Sequence, residues 1–108
     1  MATAYKVLGQ SNPAAATDTT LYTVPAVTEA VVSTISVANL GTSGTFRIAI
    51  RPAAAGIANQ HYIAYDVPLN ANDAITYTIG ITLATTDVIT VRGSNTSFAF
   101  SAFGSELT

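Results

Sequence analysis

The chain has 108 residues, the length of one ordinary domain, and its 49% hydrophobic content is sufficient for a core. Only 9% of the residues are charged, against about 25% in an average soluble protein, and four Lys/Arg against six Asp/Glu leave a net charge of -2. This balance excludes nucleic-acid binding through the phosphate backbone. The absence of Cys excludes a disulfide framework, a thiolate nucleophile and a zinc-thiolate site.

The N-terminus, Met1-Ala2-Thr3-Ala4-Tyr5-Lys6, lacks the basic start and apolar stretch of a signal peptide. No run approaches the roughly 18 apolar residues of a membrane-spanning helix. We therefore expect a soluble protein that stays in the cytoplasm where it is made, with no membrane partner.

Apolar side chains recur at every second position through most of the chain, which is the spacing of β-strands. Turn residues such as Ser11-Asn12-Pro13 and Gly93-Ser94-Asn95 separate these runs. Gly80, inside one of them, indicates a bulge or a bend. The predicted strands are Tyr5–Gln10, Thr19–Val24, Ala30–Asn39, Phe46–Arg51, His61–Val67, Ile75–Leu83, Asp87–Arg92 and Ser97–Phe103.

This spacing predicts a single all-β domain over residues 1–108, an antiparallel β-sandwich or a jelly-roll-like barrel of about eight strands. Pro52–Asn59 is expected to be a loop with at most one helical turn. Residues 1–16 form a strand and a linker. We expect this strand either to exchange into the sheet of a neighbouring subunit or to pair within its own domain.

The polar residues do not assemble a recognisable catalytic motif. His61 is the only histidine, with no nucleophile elbow near it, and is interpreted as a half-exposed strand residue. The aspartates are interpreted as turn caps and surface carboxylates, and Asn70-Ala71-Asn72-Asp73 as an Asx-type turn rather than a calcium loop. We therefore expect no enzymatic activity, no cofactor and no metal. The four aspartates are Asp18, Asp66, Asp73 and Asp87.

The strands Phe46–Arg51 and His61–Val67 are predicted to form an antiparallel pair, because sequential strands are usually neighbours. The register that matches their apolar faces sets three pairs on the buried side, Phe46 with Val67, Ile48 with Tyr65 and Ile50 with Ile63. On the outer side it sets Arg47 opposite Asp66, Ala49 opposite Ala64 and Arg51 beside Tyr62.

Tyrosine and arginine are common at the centres of interfaces. The outer side of this strand pair is therefore predicted to be a contact surface. Phe98 and Phe100 are predicted core residues, whereas Tyr62 and Phe103 fall on faces that favour an interface. The complete set of predicted interface residues is Arg47, Arg51, Tyr62, Asp66 and Tyr5.

Four segments carry a family resemblance: Leu21-Tyr22-Thr23-Val24-Pro25-Ala26, Phe46-Arg47-Ile48-Ala49-Ile50-Arg51-Pro52-Ala53, His61-Tyr62-Ile63-Ala64-Tyr65-Asp66 and Phe103-Gly104-Ser105-Glu106. From about Leu21 onward the chain resembles the short all-β virion proteins of tailed bacteriophages. Where the family leads us to expect Gly after Pro25-Ala26, this chain has Val27.

The resemblance implies a non-enzymatic virion protein without catalytic residues. Its expected role is a capsid cement or decoration protein that forms a homotrimer, binds the major capsid protein and resides in the virion. The alternative is a tail, baseplate or fibre component that binds host-surface carbohydrate. Carbohydrate binding is the less favoured of the two, because the chain has no Trp.

Overall fold

The computed structural model describes residues 2–108; Met1, the first residue of the predicted N-terminal strand and linker, lies outside the described residues. The predicted all-β class is confirmed. Two single turns of 3-10 helix, Pro52–Ala54 and Asn59–His61, interrupt the strands. The strands are β1 (Thr3–Ser11), β2 (Thr19–Thr23), β3 (Glu29–Asn39), β4 (Gly44–Arg51), β5 (Tyr62–Leu69), β6 (Ala74–Tyr77), β7 (Ile81–Leu83), β8 (Val88–Gly93) and β9 (Phe98–Leu107).

The strands form two antiparallel sheets packed face to face, so the fold is a β-sandwich. Sheet 1 has the order β1-β9-β3-β6, with β7 also paired to β3. Sheet 2 has the order β2-β8-β4-β5. Consecutive strands often lie in different sheets, and the alternating apolar residues of both sheets meet in the space between them.

Aromatic residues from both sheets form the centre of the core. Phe46 of sheet 2 lies 6.1 Å from Phe98 and 6.2 Å from Phe100 of sheet 1, measured between ring centroids. All three are at most 1% exposed, so the predicted core role of Phe98 and Phe100 is confirmed. Such offset and edge-on contacts add to the free energy gained from burial alone.

The predicted strand Ile75–Leu83 is divided into β6 and β7, which explains why nine strands replace the expected eight. Both pair with β3, and residues 78–80 stand opposite only two residues of β3. Gly80 has φ +65, in the left-handed region that glycine enters without a steric penalty. The bulge or bend predicted at Gly80 is therefore confirmed.

The predicted pairing of β4 with β5 is confirmed, but most of its register is wrong. Phe46 does stand opposite Val67. Farther along, the predicted partners Ile48–Tyr65, Ala49–Ala64, Ile50–Ile63 and Arg51–Tyr62 do not form. Instead Ile48 pairs with Ala64 and Ala49 pairs with Tyr62.

Two bulges in β5 cause this difference. Tyr65 and Asp66 together face the single residue Arg47, and Ile63 is a second extra residue. Asp66 has φ +50, a left-handed conformation typical of bulged strands. The predicted core residues Tyr65 and Ile63 are therefore 55% and 38% exposed.

Strand β1 pairs with β9 of the same chain along its whole length, from Thr3 opposite Leu107 to Ser11 opposite Phe100. Ala2 and Thr108 exchange two backbone hydrogen bonds at the open end of this pair. This arrangement is the intramolecular alternative of the two that the sequence left open. Exchange of the strand between copies stays a prediction.

The expectation of a half-exposed strand position for His61 is wrong. The residue is 9% exposed and ends a 3-10 turn, where its Nδ1 accepts a hydrogen bond of 3.1 Å from the backbone N–H of Ala58. The predicted loop Pro52–Asn59 contains one complete 3-10 turn, Pro52–Ala54, as expected, and the second turn begins at its last residue, Asn59. The imidazole therefore has a structural role in closing the β4–β5 connection.

Candidate interaction surfaces

The outer face of sheet 2 carries a compact cluster formed by Arg47, Asp66, Tyr65 and Tyr62. The Arg47 guanidinium donates to both carboxylate oxygens of Asp66, at 2.7 Å and 3.3 Å. It also lies 4.1 Å from the centroid of the Tyr65 ring, in a cation-π contact. We call these four residues the Arg47 cluster.

The bulge in β5 explains the composition of this cluster. Because Tyr65 and Asp66 both stand opposite Arg47, its guanidinium contacts the ring of Tyr65 and the carboxylate of Asp66. Tyr62 then packs edge-on against Tyr65, with ring centroids 4.8 Å apart. The predicted proximity of Arg47 and Asp66 is confirmed. The arginine–aromatic contact joins Arg47 to Tyr65, a residue that was predicted to lie on the buried side.

The electrostatics of the pair favour its charged form. The hydrogen bond from Arg47 lowers the pKa of the Asp66 carboxyl, and the same bond raises the pKa of Arg47. Asp66 is exposed, so solvent screens this interaction and it contributes little to folding stability. The ion pair therefore serves mainly to hold the four side chains of the cluster in a fixed arrangement on the surface.

A second ion pair extends the charged surface across sheet 2. Arg92 of β8 stands directly opposite Arg47 of β4 and lies 3.6 Å from Asp18. Each arginine therefore has its own carboxylate, which offsets the repulsion between the two like charges. The groove between them is also lined by Ala16, Thr45 and Ser94.

Arg51 does not join the cluster, so its predicted contact with Tyr62 is wrong. Its guanidinium donates to the backbone carbonyls of Ala55 and Ala54, at 2.6 Å and 3.2 Å, and to Oγ1 of Thr90 at 3.2 Å. The side chain is held at the end of β4 because the following 3-10 turn offers unpaired carbonyls. Arg51 fastens that turn to β8.

Tyr5 lies on sheet 1, on the opposite side of the sandwich from the Arg47 cluster. Its side chain is 85% exposed and lines a shallow depression with Val7, Val31 and Phe103. We call these four residues the apolar patch. Strand alternation leaves Glu29, the first residue of β3, as the only charged residue on the outer face of the strands of sheet 1.

A polar group that was not predicted from the sequence lies between the sheets. Glu106 is 8% exposed, and its carboxylate accepts from Nζ of Lys6 at 2.6 Å and from the hydroxyl of Tyr22. The hydrogen bond from Lys6, followed by the bond from Tyr22, lowers the pKa of Glu106. Burial, followed by the hydrogen bond to Glu106, raises the pKa of Tyr22. Continuing the inward alternation of Phe98, Phe100 and Ala102 would have placed Glu106 inside.

Two of the remaining aspartates cap backbone turns. Asp87 accepts from the N–H groups of Ala53 and Ala84, at 2.8 Å and 2.9 Å, and Asp73 accepts from the N–H of Ala74 at 2.8 Å. The turn that Asn70 begins contains Asn72 at φ +61. Within residues 2–108, no group of three or more His, Cys, Asp or Glu side chains is placed to hold a metal ion.

Comparison of the chain with family models, with curated proteins and with solved structures finds no match in any of the three. In the part of the chain that the structure describes, no helix has the length and hydrophobicity needed to cross a bilayer.

Proposed function

We propose that the protein is a non-enzymatic structural protein of a tailed-bacteriophage virion, and that it decorates and cements the head. The observation that carries this proposal is the contrast between its two outer faces. All three arginines lie on the strands of sheet 2, whereas sheet 1 presents the uncharged apolar patch. A stiff sandwich with ion pairs on one face and an apolar patch on the other suits a protein that binds different neighbours on its two sides.

Low net charge supports the same role. Many copies of a cement protein stand close together on a shell, and a net charge of -2 produces little repulsion between them. The proposal includes self-association and binding to the major capsid protein, and the family resemblance implies three copies in the oligomer. The protein reaches the virion by assembly in the host cytoplasm.

The test is the number of copies in purified particles of the phage that encodes the chain, measured by quantitative mass spectrometry. We expect hundreds of copies per particle. We also expect that particles assembled without the gene have less stable heads. If a particle contains a few dozen copies or fewer and the protein co-purifies with tails, the tail alternative is correct and the head assignment is wrong. Absence from the particle would overturn the structural role.

One observation favours the alternative of a tail component that binds host carbohydrate. Tyr62 and Tyr65 of the Arg47 cluster line an open groove together with Asn59, and tyrosine rings with adjacent polar groups are suited to stacking on sugars. Under this alternative, Tyr65→Ala abolishes retention of the protein on host-surface polysaccharide. Leu40→Ala is the control, because Leu40 is also exposed, at 65%, and lies outside this groove.

A further inference from the structure

Residues Thr3–Val7 of strand β1 form the longest stretch of regular pairing at a sheet edge of the sandwich. Edge strands expose unpaired backbone groups, and proteins usually protect them by short length, bulges, proline or charge. The edge strand β2 has five residues and one bulge, β5 has two bulges and Pro68, and the β6–β7 edge is broken at Gly80. β1 has nine residues and no Pro, and its one bulge, between Val7 and Gly9, lies after the regular stretch Thr3–Val7. Its single charged residue, Lys6, is paired with Glu106.

The free backbone groups of β1 follow from its register with β9. Ala2 and Thr108 exchange both of their hydrogen bonds, and the facing residues in an antiparallel ladder alternate between bonded and non-bonded pairs. The N–H and C=O groups of Ala4 and Lys6 therefore point toward β9. Those of Thr3, Tyr5 and Val7 point away from it, and all three residues are exposed.

We propose that a second copy of this chain occupies this edge, with the two β1 strands antiparallel across a two-fold axis at Tyr5. In this register Tyr5 pairs with Tyr5 of the second copy, and Thr3 pairs with Val7 of the second copy on either side. The free groups are spaced symmetrically about Tyr5, so the strand is its own complement. An isologous pair of this kind closes at two chains.

The charges and the apolar patch both favour this occupant. Lys6 is already paired with Glu106 of its own chain, and in this register it stands opposite Ala4 of the second copy instead of its own counterpart. The outer face next to β1 carries Tyr5, Val7 and Phe103. Lys6 lines the same depression, but its charge is balanced by Glu106, so two copies meet with little repulsion. Side by side, the two apolar patches become one continuous surface.

This inference rests on the proposed assembly role but departs from it in copy number, since it predicts two chains where the family resemblance implies three. It is tested in solution, apart from any particle. The first measurement is the mass of the purified chain by light scattering after size exclusion. We expect two chains of 11.1 kDa. A single chain at all concentrations, or the three chains that the family resemblance implies, would overturn the two-fold contact, while copy number in particles would still decide the proposed function.

A proline variant tests whether the outward backbone groups form the contact. Tyr5→Pro removes an N–H that points away from β9, so the intramolecular ladder is kept and the mass should fall to one chain with an unchanged circular dichroism spectrum. Tyr5→Thr retains that N–H and should remain a dimer. A Tyr5→Pro variant that still elutes with the mass of two chains contradicts the proposal.

Cross-linking tests the register, and the absence of native Cys makes the result unambiguous. The proposed axis brings the two Cα atoms of position 5 to about 5.5 Å, within the range of a disulfide. The two Cα atoms of position 7 are offset by four residues, which is about 14 Å. Tyr5→Cys should therefore form a covalent dimer on mild oxidation and Val7→Cys should not. The reverse result would disprove this register.

Discussion

Val27 adopts a backbone conformation that is costly for a β-branched residue. Its φ is +54, in the left-handed region, and its side chain is 86% exposed, so burial does not compensate for the strain. Glycine is the residue best suited to such a position. Glycine enters this region without the clash between Cβ and the following carbonyl oxygen.

We therefore expect Val27→Gly to stabilise the protein by about 1 kcal/mol. The strain released is about 1–2 kcal/mol, and the greater freedom of glycine in the unfolded chain offsets part of it. For a domain of this size the melting temperature should rise by roughly 4–8 °C, as measured by calorimetry. Val27→Ala is the control, because it removes the branch but keeps Cβ. An equal gain from Val27→Ala would place the cause in the exposed side chain instead of the backbone.

At the scale of strands, Glu106 is the polar link that holds β1 and β9 of sheet 1 to β2 of sheet 2. Its carboxylate accepts from Lys6 of β1 and from Tyr22 of β2 at the same time. Gly9 and Gly104 allow close approach in the same region, since a Cβ at either position would overlap a backbone carbonyl oxygen, that of Leu21 or that of Val31. The link and the close contacts together fix the position of the N-terminal strand.

Glu106→Gln should destabilise the protein by about 1–3 kcal/mol, because it removes the charge that partners Lys6 at a buried site. Urea unfolding at pH 7 measures the difference. Glu29→Gln, at the exposed start of β3, should change stability by less than about 0.5 kcal/mol and is the matched control.

The same variant has a defined pH dependence. The folded pKa of Glu106 is lowered, so its stabilisation is fully present above the usual glutamate pKa of about 4.3 and is lost as the pH falls through the folded pKa. The stability difference between the native chain and Glu106→Gln should therefore shrink on acidification. A difference that stays constant from pH 7 to pH 3 would contradict ionisation of Glu106 as the cause.

For the whole molecule, the scarcity of charge determines how it can associate. Ten charged residues include three ion pairs within the chain, so few charges remain for contacts with neighbours. Association must then rely on apolar area and backbone hydrogen bonds, which salt does not screen. The apolar patch and the free edge of β1 provide both.

Self-association and particle binding should therefore persist in about 1 M NaCl, where the Debye length is roughly 3 Å. Sedimentation of the purified protein and of particles, at low and at high salt, measures both. Unfolding in urea over the same salt range is the control for effects on the fold. Dissociation at high salt with the fold intact would mean that ion pairs hold the assembly together.

Strands β4 and β5 show which side-chain positions can be predicted from the alternation of apolar and polar residues and which cannot. The alternation of β4 placed Phe46 and Ile48 inside and Arg47 outside, and the structure agrees. The pairing of Arg47 with Asp66 also followed from pattern and charge. The exposure of Tyr65 did not, because a bulge in β5 depends on what the neighbouring strand can accommodate, and this is absent from the spacing of β5 itself.

The all-β class, the approximate strands, the apolar core positions of β4 and β9 and the bend at Gly80 could be predicted from the order of residues alone, because these features depend on neighbours a few residues apart. Three features depend on the packed fold: Arg51 fastens a turn, Glu106 joins Lys6 to Tyr22, and β1 lies at an open edge of sheet 1. These features join positions far apart in the chain, such as Lys6 and Glu106. Their geometry is set by the packing of the two sheets, which no local period encodes.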